Sequence, residues 1–502
     1  MYISVTDYLN DIVVKMPEKI LYQDNKVSFS AQQVWKYGRS IATAISRCTV
    51  QRKPVVVFMK QKVAVPIAFI GTALAGCYYT PIDIQMPMDR ISLILKNLEP
   101  EVVVYDKGTA AKIDELGLQD KALLFEDACE TSADDEVLNK IHSNMCQTDL
   151  LYVFYTSGST GTPKGVTISH MAVIDSIKWF RDTYNIDDKV IMCNQAPLYF
   201  DASLLDMYAP IFCGATTHFP PKSYYTFPSR VLQYMDENNV NLINWVPSAL
   251  CNVVNCNAFD VCVPRNLKTV IFIGEVMSCK QLNVWRKHYP DVLFVNAYGP
   301  TEATYNCMYY NIEKEYADDE VLPLGKPCEN CKIILLNEEN KEVRENEIGE
   351  ICVMGQCLSG GYYNDPEKSR SAFIQNPLNT MYSERMYKTG DLAYIDNDGN
   401  MMFVGRKDFQ IKRLGYRIEL GEIENAIQSI NGVDYVCCLY NSETNDIVAV
   451  YSGRADAESI IAALSEKVPN YMMPTVFEKI DQMPFNMNGK LDRVELKKKY
   501  IK

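Results

Sequence analysis

The sequence predicts an α/β fold. A large N-terminal domain (1–408) of parallel-rich sheets with helices and a β-rich subdomain is followed by a small α+β C-terminal domain (409–502). Three observations carry this. Apolar runs of strand length alternate with helical patterns through the first part of the chain. Several of those runs end in small or polar residues. After about residue 320 the pattern shortens to hairpin-like strands, and after residue 408 a separate set of short elements begins.

In order, Phe29 to Ile45 has helical spacing and Pro54 to Met59 reads as a buried strand. Val63 to Ile82 carries no charge, but Pro66, Gly71, Gly76 and Pro81 interrupt it. A buried helix from Val65 to Ala75 and a strand from Tyr78 to Pro81 are expected there rather than a membrane span. Val102–Tyr105 and Ala122–Phe125 are further strands. Leu150 to Tyr155 is almost wholly apolar and aromatic, so it reads as a strand. It leads into a hydroxyl- and glycine-rich loop, Thr156 to Gly165, and then a helix with Val173, Ile174, Ile177, Trp179 and Phe180 on it. Asn241–Val246, Thr269–Ile273 and Val292–Val295 are strands ending at Pro247-Ser248, Gly274-Glu275 and Asn296–Glu302. Ligands of α/β sheets bind beyond such carboxyl ends, so these ends and the loop are expected to share one cleft. Asp396-Asn-Asp-Gly399 is a hairpin signal between Leu392–Ile395 and Met401–Val404. In the last domain Gly421–Ile430 and Ser459–Lys467 read as helices, and Val436–Leu439 and Ile447–Tyr451 as strands.

Composition narrows the function classes. The 502 residues are 47% apolar and 23% charged, ordinary for a soluble globular protein. A net charge of −13 disfavours non-specific nucleic-acid binding and anionic membranes. Seventeen cysteines, many within apolar runs, are expected as core residues of a reducing compartment rather than a disulfide framework. The single C-x-x-C, Cys328 and Cys331, lacks a second pair or a nearby histidine, so a structural role is expected over zinc. The N-terminus lacks the basic region and apolar run of a signal peptide, and a cytoplasmic location is expected.

The loop at 156–165 combines three glycines, four hydroxyls (Thr156, Ser157, Ser159, Thr160) and Lys164. Glycines let the backbone turn its N–H groups inward, and such a loop suits a polyphosphate. It does not have the G-x-x-x-x-G-K-[ST] register.

The segments Thr156–Gly165, Asn296–Glu302, Tyr387–Asp391, Gly405–Asp408, Gly415–Glu424 and Asn488–Lys490 stand in the order of the motifs of the adenylate-forming superfamily. The chain therefore resembles that superfamily over nearly its whole length. It is most similar to the amino-acid-activating branch: adenylation domains of nonribosomal peptide synthetases and free-standing D-alanine:D-alanyl carrier protein ligases. Asn194-Gln-Ala-Pro, Asp408-Phe-Gln-Ile-Lys and Gly415-Tyr-Arg look especially like the latter.

The resemblance implies a ligase that uses ATP and Mg²⁺. A carboxylate attacks the α-phosphate to give an acyl-adenylate and pyrophosphate, and a thiol then displaces AMP. Because an anion meets a polyanion, charge neutralisation should dominate the catalysis. By resemblance, Lys490, Glu302 and Thr301 form the catalytic set, and Glu302 is the metal ligand, an oxygen donor for a hard cation. ATP would be held by Thr156, Ser157, Gly158, Ser159, Thr160, Gly161, Thr162 and Lys164 around the phosphates. Gly274, Asn296, Ala297, Tyr298, Gly299 and Thr301 would line the adenine side. Asp391, with Gly405 and Arg406, would meet the ribose, and Lys490 the α-phosphate and substrate carboxylate. Asp408 resembles the hinge about which a mobile small domain swings.

Asp201 resembles the carboxylate that pairs with a substrate ammonium, which implies an α-amino acid; an unpaired carboxylate there would be costly. The pocket would comprise Asp201, Ala202, Leu205, Asn244, Ile271, Ile273, Ala297, Tyr305, Asn306 and Lys490. Ile273 and Tyr305 should shorten it, favouring a small substrate such as D-alanine. The D-alanine ligases typically carry cysteine at the Ile273 position and a small residue at the Tyr305 position, so the chain departs from them there. Asn244 and Asn306 offer either hydrogen bonds to a modestly polar side chain or bonds to each other, so a polar amino acid for nonribosomal peptide synthesis is the second reading. An acyl-CoA ligase and a non-catalytic sensing or scaffold module are the further alternatives. The sequence runs only to Lys502 after Lys490, so the expected thiol acceptor is a phosphopantetheinylated carrier protein acting in trans on a monomer. Lys407, Lys412, Arg413 and Lys497–Lys499 are candidate docking cations. No nucleic acid or membrane insertion is expected.

Overall fold

The computed structural model describes residues 2–158, 162–484 and 491–501. Two compact units are distinguished: residues 1–84, 99–154 and 165–407 form the first, and 85–98, 155–164 and 408–502 the second.

The first unit contains three sheets. In one, strands Ile191–Cys193, Leu242–Trp245, Thr269–Ile273 and Leu293–Tyr298 run parallel, with Thr216–His218 and Ile20–Gln23 continuing the parallel set on the other side. Antiparallel strands close both edges: Met308–Asn311 with Lys326–Pro327, and Ser28–Ser30. A second, seven-stranded sheet carries Pro54–Phe58 between Tyr78–Pro81 and Val102–Tyr105, all parallel. A third sheet is antiparallel, built from strands between Cys331 and Arg406. Nearly continuous apolar strands such as PVVVF are what a sheet covered on both faces requires.

Helices Ala31–Cys48 and Val65–Leu74 pack tightly through glycine. A Cβ on Gly71 would sit 2.5 Å from Ile41 Cγ2, so only glycine permits that approach. The turn at 396–399 forms between Arg385–Ile395 and Met401–Arg406, with Gly399 at φ +78° and its N–H donating to Asp396 O. Among the described residues no helix is long and apolar enough to cross a membrane.

Three expectations need correction. Phe29 lies in a strand, Ser28–Ser30; the helix begins at Ala31, capped by Ser30. The loop after Leu150–Thr156 does not lead directly into a helix: Lys164–Ser169 is a strand, and the helix starts at His170. Asn296, Ala297 and Tyr298 are not beyond a strand end but inside Leu293–Tyr298, where Met308–Asn311 pairs with them.

In the second unit, a hairpin of Gln410–Arg413 and Tyr416–Glu419 turns at Leu414 and Gly415, both at positive φ. Helices Leu420–Gln428 and Ala457–Ser465 bury Ile423, Ile427, Ile460 and Leu464 in one cluster with strands Val433–Asn441 and Asp446–Gly453.

Candidate functional site

The first unit builds its site around the end of strand Leu293–Tyr298 and the turn that follows. Asn296 is opposite Phe272 and Ala297 opposite Ile273 in parallel register. Asn296 donates to Pro323 O at 2.7 Å. Tyr298 Oη donates to Asp391 Oδ2 at 2.5 Å, while Arg406 donates to Asp391 Oδ1 at 2.6 Å. Asp391 and Arg406 are cross-strand partners, which aligns the pair. Both side chains are largely buried, so this ion pair is held by geometry rather than left to solvent. Burial and the adjacent Asp391 charge push the Tyr298 hydroxyl well above its ordinary range, so it remains a donor.

Gly299 then lets two chain segments touch. A Cβ there would lie 2.4 Å from Tyr305 O and 2.7 Å from Asn306 Cα. Thr301–Ala303 is a single 3₁₀ turn, and Thr304 and Tyr305 follow at φ +52° and +80°. Two successive non-glycine residues in the left-handed region mark a segment whose shape is imposed by its surroundings. Those surroundings are visible: Thr304 Oγ1 donates to Cys357 O at 2.5 Å, and Ser359 N donates to Glu302 O at 2.8 Å. Glu302 is fully buried, and its Oε1 accepts from Tyr362 Oη at 2.8 Å. A buried carboxylate is an oxygen donor set of the kind a hard divalent cation takes.

Several of the residues expected to line a substrate pocket are linked to one another nearby. Asn244 lies opposite Ile271, and its Nδ2 donates to Ala202 O at 2.9 Å. Tyr305 Oη donates to Asn244 Oδ1. Leu205, Ile271, Ile273, Ala297 and Tyr305 share one buried hydrophobic cluster, with Ala202 packed against it. Asn306 is buried, and with its amide nitrogen facing acceptors it donates to Met308 O at 2.7 Å and Tyr298 O at 3.2 Å. The two asparagines are therefore not bonded to each other; each is engaged by its own neighbours. Asp201 opens a 3₁₀ turn before helix Leu204–Cys213, and its charge is felt at Tyr152 and Tyr305. Gly274 follows strand Thr269–Ile273 with φ +103°.

Sequence reasoning missed a buried polar group whose charge is felt at Tyr305. Asp206, fully buried, accepts from Asn194 Nδ2 at 2.6 Å; Asp206 Oδ1, Asn194 Oδ1 and the side-chain oxygen of Gln195 have no partner among the described residues. Burial pushes the Asp206 carboxyl up to about 8 and the nearby Lys62 ammonium down to about 8. The available signal was the lone charge in an otherwise apolar helix, LLDMYAPIFC.

The second unit holds the remaining loop residues. Ser157 Oγ donates to Arg417 O at 2.6 Å, and Gly158 N donates to Glu422 Oε2 at 3.3 Å. Glu422 also pairs with Arg90, and both are nearly inaccessible. These two loop donors thus serve the 417–422 segment instead of facing inward unoccupied. Thr156 Oγ1 is buried without a partner among the described residues, Thr162 is exposed, and Lys164 is buried at the start of its strand. Ser159, Thr160, Gly161 and Lys490 lie outside the described residues. Asp408 is exposed and accepts from Gln410 N at 3.2 Å. Gly405 is half-buried, next to Arg406. Arg413 is not a surface cation: it is buried and donates to the carbonyls of Asn445, Tyr471 and Met473. Lys497, Lys498 and Lys499 are exposed, and Lys407 bonds Glu350 at 3.2 Å.

The family model described as AMP-binding enzyme matches residues 9–363. Zwittermicin A synthase ZmaJ of Bacillus cereus is 30% identical over 495 residues, covering 96% of this chain and 92% of that protein. The D-alanine--D-alanyl carrier protein ligase of Bacillus cereus (strain Q1) is 30% identical over 460 residues, 89% of each chain. Among solved structures, holo-PA1221, a nonribosomal peptide synthetase protein containing adenylation and PCP domains, superposes with a TM-score of 0.85. It is 20% identical, and the match covers 99% of this chain and 84% of that one.

Proposed function

Because the chain belongs to the AMP-binding enzyme family and is an adenylate-forming ligase, we propose that it activates a small α-amino acid, such as D-alanine, with ATP. The aminoacyl group then passes to the phosphopantetheine thiol of a carrier protein in trans. One observation carries the choice of substrate. Both polar functions of Asn244 are engaged, by Tyr305 Oη and Ala202 O, and Asn244 lies opposite Ile271 in the sheet. A pocket whose asparagine is already satisfied favours a short apolar side chain over a polar one. The carrier ligase relative supports the acceptor.

In the first half-reaction a carboxylate oxygen attacks the α-phosphorus and the bond to pyrophosphate breaks. Asp201 pairs with the substrate ammonium, and Asp391, fixed by Tyr298 and Arg406, accepts the ribose hydroxyls. Lys490 neutralises charge between carboxylate and α-phosphate, which is the electrostatic demand of this step. Thr301 and Glu302 sit on the turn held by Ser359 and Tyr362. Glu302 would hold Mg²⁺, which when bound supplies charge neutralisation at the phosphates. In the second half-reaction the thiol attacks the acyl carbonyl and AMP leaves. The core is taken as residues 1–408 and the lid as 409–502, turning about Asp408. The enzyme is read as a cytoplasmic monomer.

Pyrophosphate exchange measured across the amino acids in both configurations tests this reading. Exchange with alanine or another small residue is expected. Exchange only with large or polar amino acids refutes the pocket assignment, and exchange only with fatty or aryl acids refutes the amino-acid assignment.

A further inference from the structure

Four of the seventeen cysteines gather against the 301–306 turn: Cys307, Cys328, Cys331 and Cys357. Strands Cys331–Leu336 and Gly349–Gly355 pair antiparallel, with Cys331 opposite Gly355. Beyond Gly355 the chain turns, with Leu358 N donating to Gly355 O at 3.4 Å, and this brings Cys357 back to its cross-strand neighbour. The Cys331 and Cys357 sulfurs are 3.4 Å apart. Cys328, three residues before Cys331 in the C-x-x-C, is directed elsewhere: its sulfur lies 3.2 Å from the Asn306 amide and packs in the neighbouring hydrophobic cluster. Among the described residues no group of three or more histidine, cysteine or acidic side chains is placed to hold a metal ion.

Access and reactivity differ within the pair. Cys331 is half-buried, whereas Cys357 is 1% exposed. The hydrogen bond to Cys331, reinforced by burial, pushes the Cys357 thiol well up, so it keeps its proton. The sulfur an oxidant reaches is that of Cys331, and the sulfur behind it is poised as the resolving partner.

We propose that Cys331 and Cys357 are a modification site, a thiol pair that a peroxide converts to a disulfide. The Cys331 sulfur attacks one peroxide oxygen as its thiol proton is released. The O–O bond breaks, the leaving hydroxide takes up that proton as water, and Cys331 becomes a sulfenic acid. Cys357 sulfur then attacks Cys331 sulfur; the S–O bond breaks and the oxygen departs as water with the Cys357 proton. Two thiols lose two hydrogens and two electrons, and hydrogen peroxide is reduced to two waters. The sulfurs close to about 2.05 Å, a movement of little more than 1 Å. The bond would staple the loop whose backbone accepts from Thr304 and donates to Glu302 to the strand beginning at Cys331.

The test uses the full chain, reduced and then dosed with hydrogen peroxide, with remaining thiols alkylated before digestion and non-reducing mass spectrometry. Cys357 is expected mainly in a peptide joined to Cys331, lighter than the two peptides by two hydrogens and separated by dithiothreitol. In Cys331→Ser, Cys357 should be recovered alkylated at the same dose. Three results overturn the proposal. One is Cys331 joined to Cys328. Another is both sulfurs alkylated at a dose that oxidises exposed Cys146. The third is Cys331 driven to sulfinic acid while Cys357 stays alkylated.

Discussion

Tyr305→Phe is the sharpest perturbation of the proposed pocket, because it removes one atom. Tyr305 is 1% exposed and Asn244 is equally buried, and the tyrosine hydroxyl is the donor to Asn244 Oδ1. Losing it leaves a buried carbonyl oxygen without a partner, at a cost of about 1–3 kcal/mol. Urea unfolding should register a destabilisation of that size. The same vacancy changes selectivity. A serine hydroxyl donating to Asn244 Oδ1 would restore roughly 1 kcal/mol, and since about 1.4 kcal/mol is tenfold, the ratio of kcat/KM for serine over alanine should rise about fivefold. Pyrophosphate exchange with both amino acids, in each configuration, measures that ratio for parent and variant. An active variant with the parent's ratio and unchanged stability would refute the claim that Tyr305 satisfies Asn244 at the substrate wall. Asn244→Leu in the Tyr305→Phe background removes the orphaned Oδ1 but also the donor to Ala202 O, so only part of the lost stability should return.

Three further outcomes are expected. Lys490→Ala should lower adenylation by about 100-fold or more, in the range of losing a key electrostatic group, with an unchanged circular dichroism spectrum; full adenylation would remove its assigned role. His170, 1% exposed, has its imidazole held down at about 4 by burial, below an unfolded value of 6.5. A depressed folded value gives stability that is present above pH 6.5 and lost as pH falls toward 4, about 3 kcal/mol in all. His170→Asn, which keeps an acceptor for Val5 N, should lose less stability than the parent between pH 7 and pH 4; identical slopes would contradict this. Glu422→Gln leaves Arg90 buried without its charge partner, so hydrogen exchange in helix Leu420–Gln428 should accelerate as about 3–5 kcal/mol of local stability is lost.

What the sequence revealed followed periodicity. Thr269–Ile273 is a strand with the bounds its apolar run predicts, because nothing local competes with five apolar or β-branched residues between turn signals. Asn296-Ala-Tyr298 read as a loop because an asparagine shortly before Gly299-Pro300 resembles a turn. Their backbone groups are satisfied by Met308–Asn311, a strand recognisable only once the chain has turned through Gly299–Asn306. Lys164–Ser169 was hidden in the same way behind a glycine-rich run. Tertiary pairs were beyond reach: Tyr305 with Asn244, Asn194 with Asp206 and Cys331 with Cys357 join residues whose separation no periodicity encodes. Arg413 was misjudged because a basic residue beside a turn usually faces water. Here the Leu414–Gly415 hairpin turns it inward onto three carbonyls.

The glycine-rich loop shows why residue type and residue availability are different questions. Its composition suits a polyphosphate, yet Ser157 Oγ and Gly158 N already donate to Arg417 O and Glu422. A phosphate bound through those groups must replace both hydrogen bonds. At about 1 kcal/mol net for each, the replacement costs around 2 kcal/mol, or some 30-fold in apparent affinity. Arg90 raises that cost further, because Glu422 is held in place by a buried ion pair rather than by solvent-exposed contacts. Loading of the loop and release of the 417–422 segment are, on the proposed reading, one linked equilibrium: whatever detaches that segment strengthens phosphate binding by the same free energy. On the proposed reading, movement of residues 409–502 about Asp408 is then a condition of tight pyrophosphate binding as well as of the exchange between half-reactions.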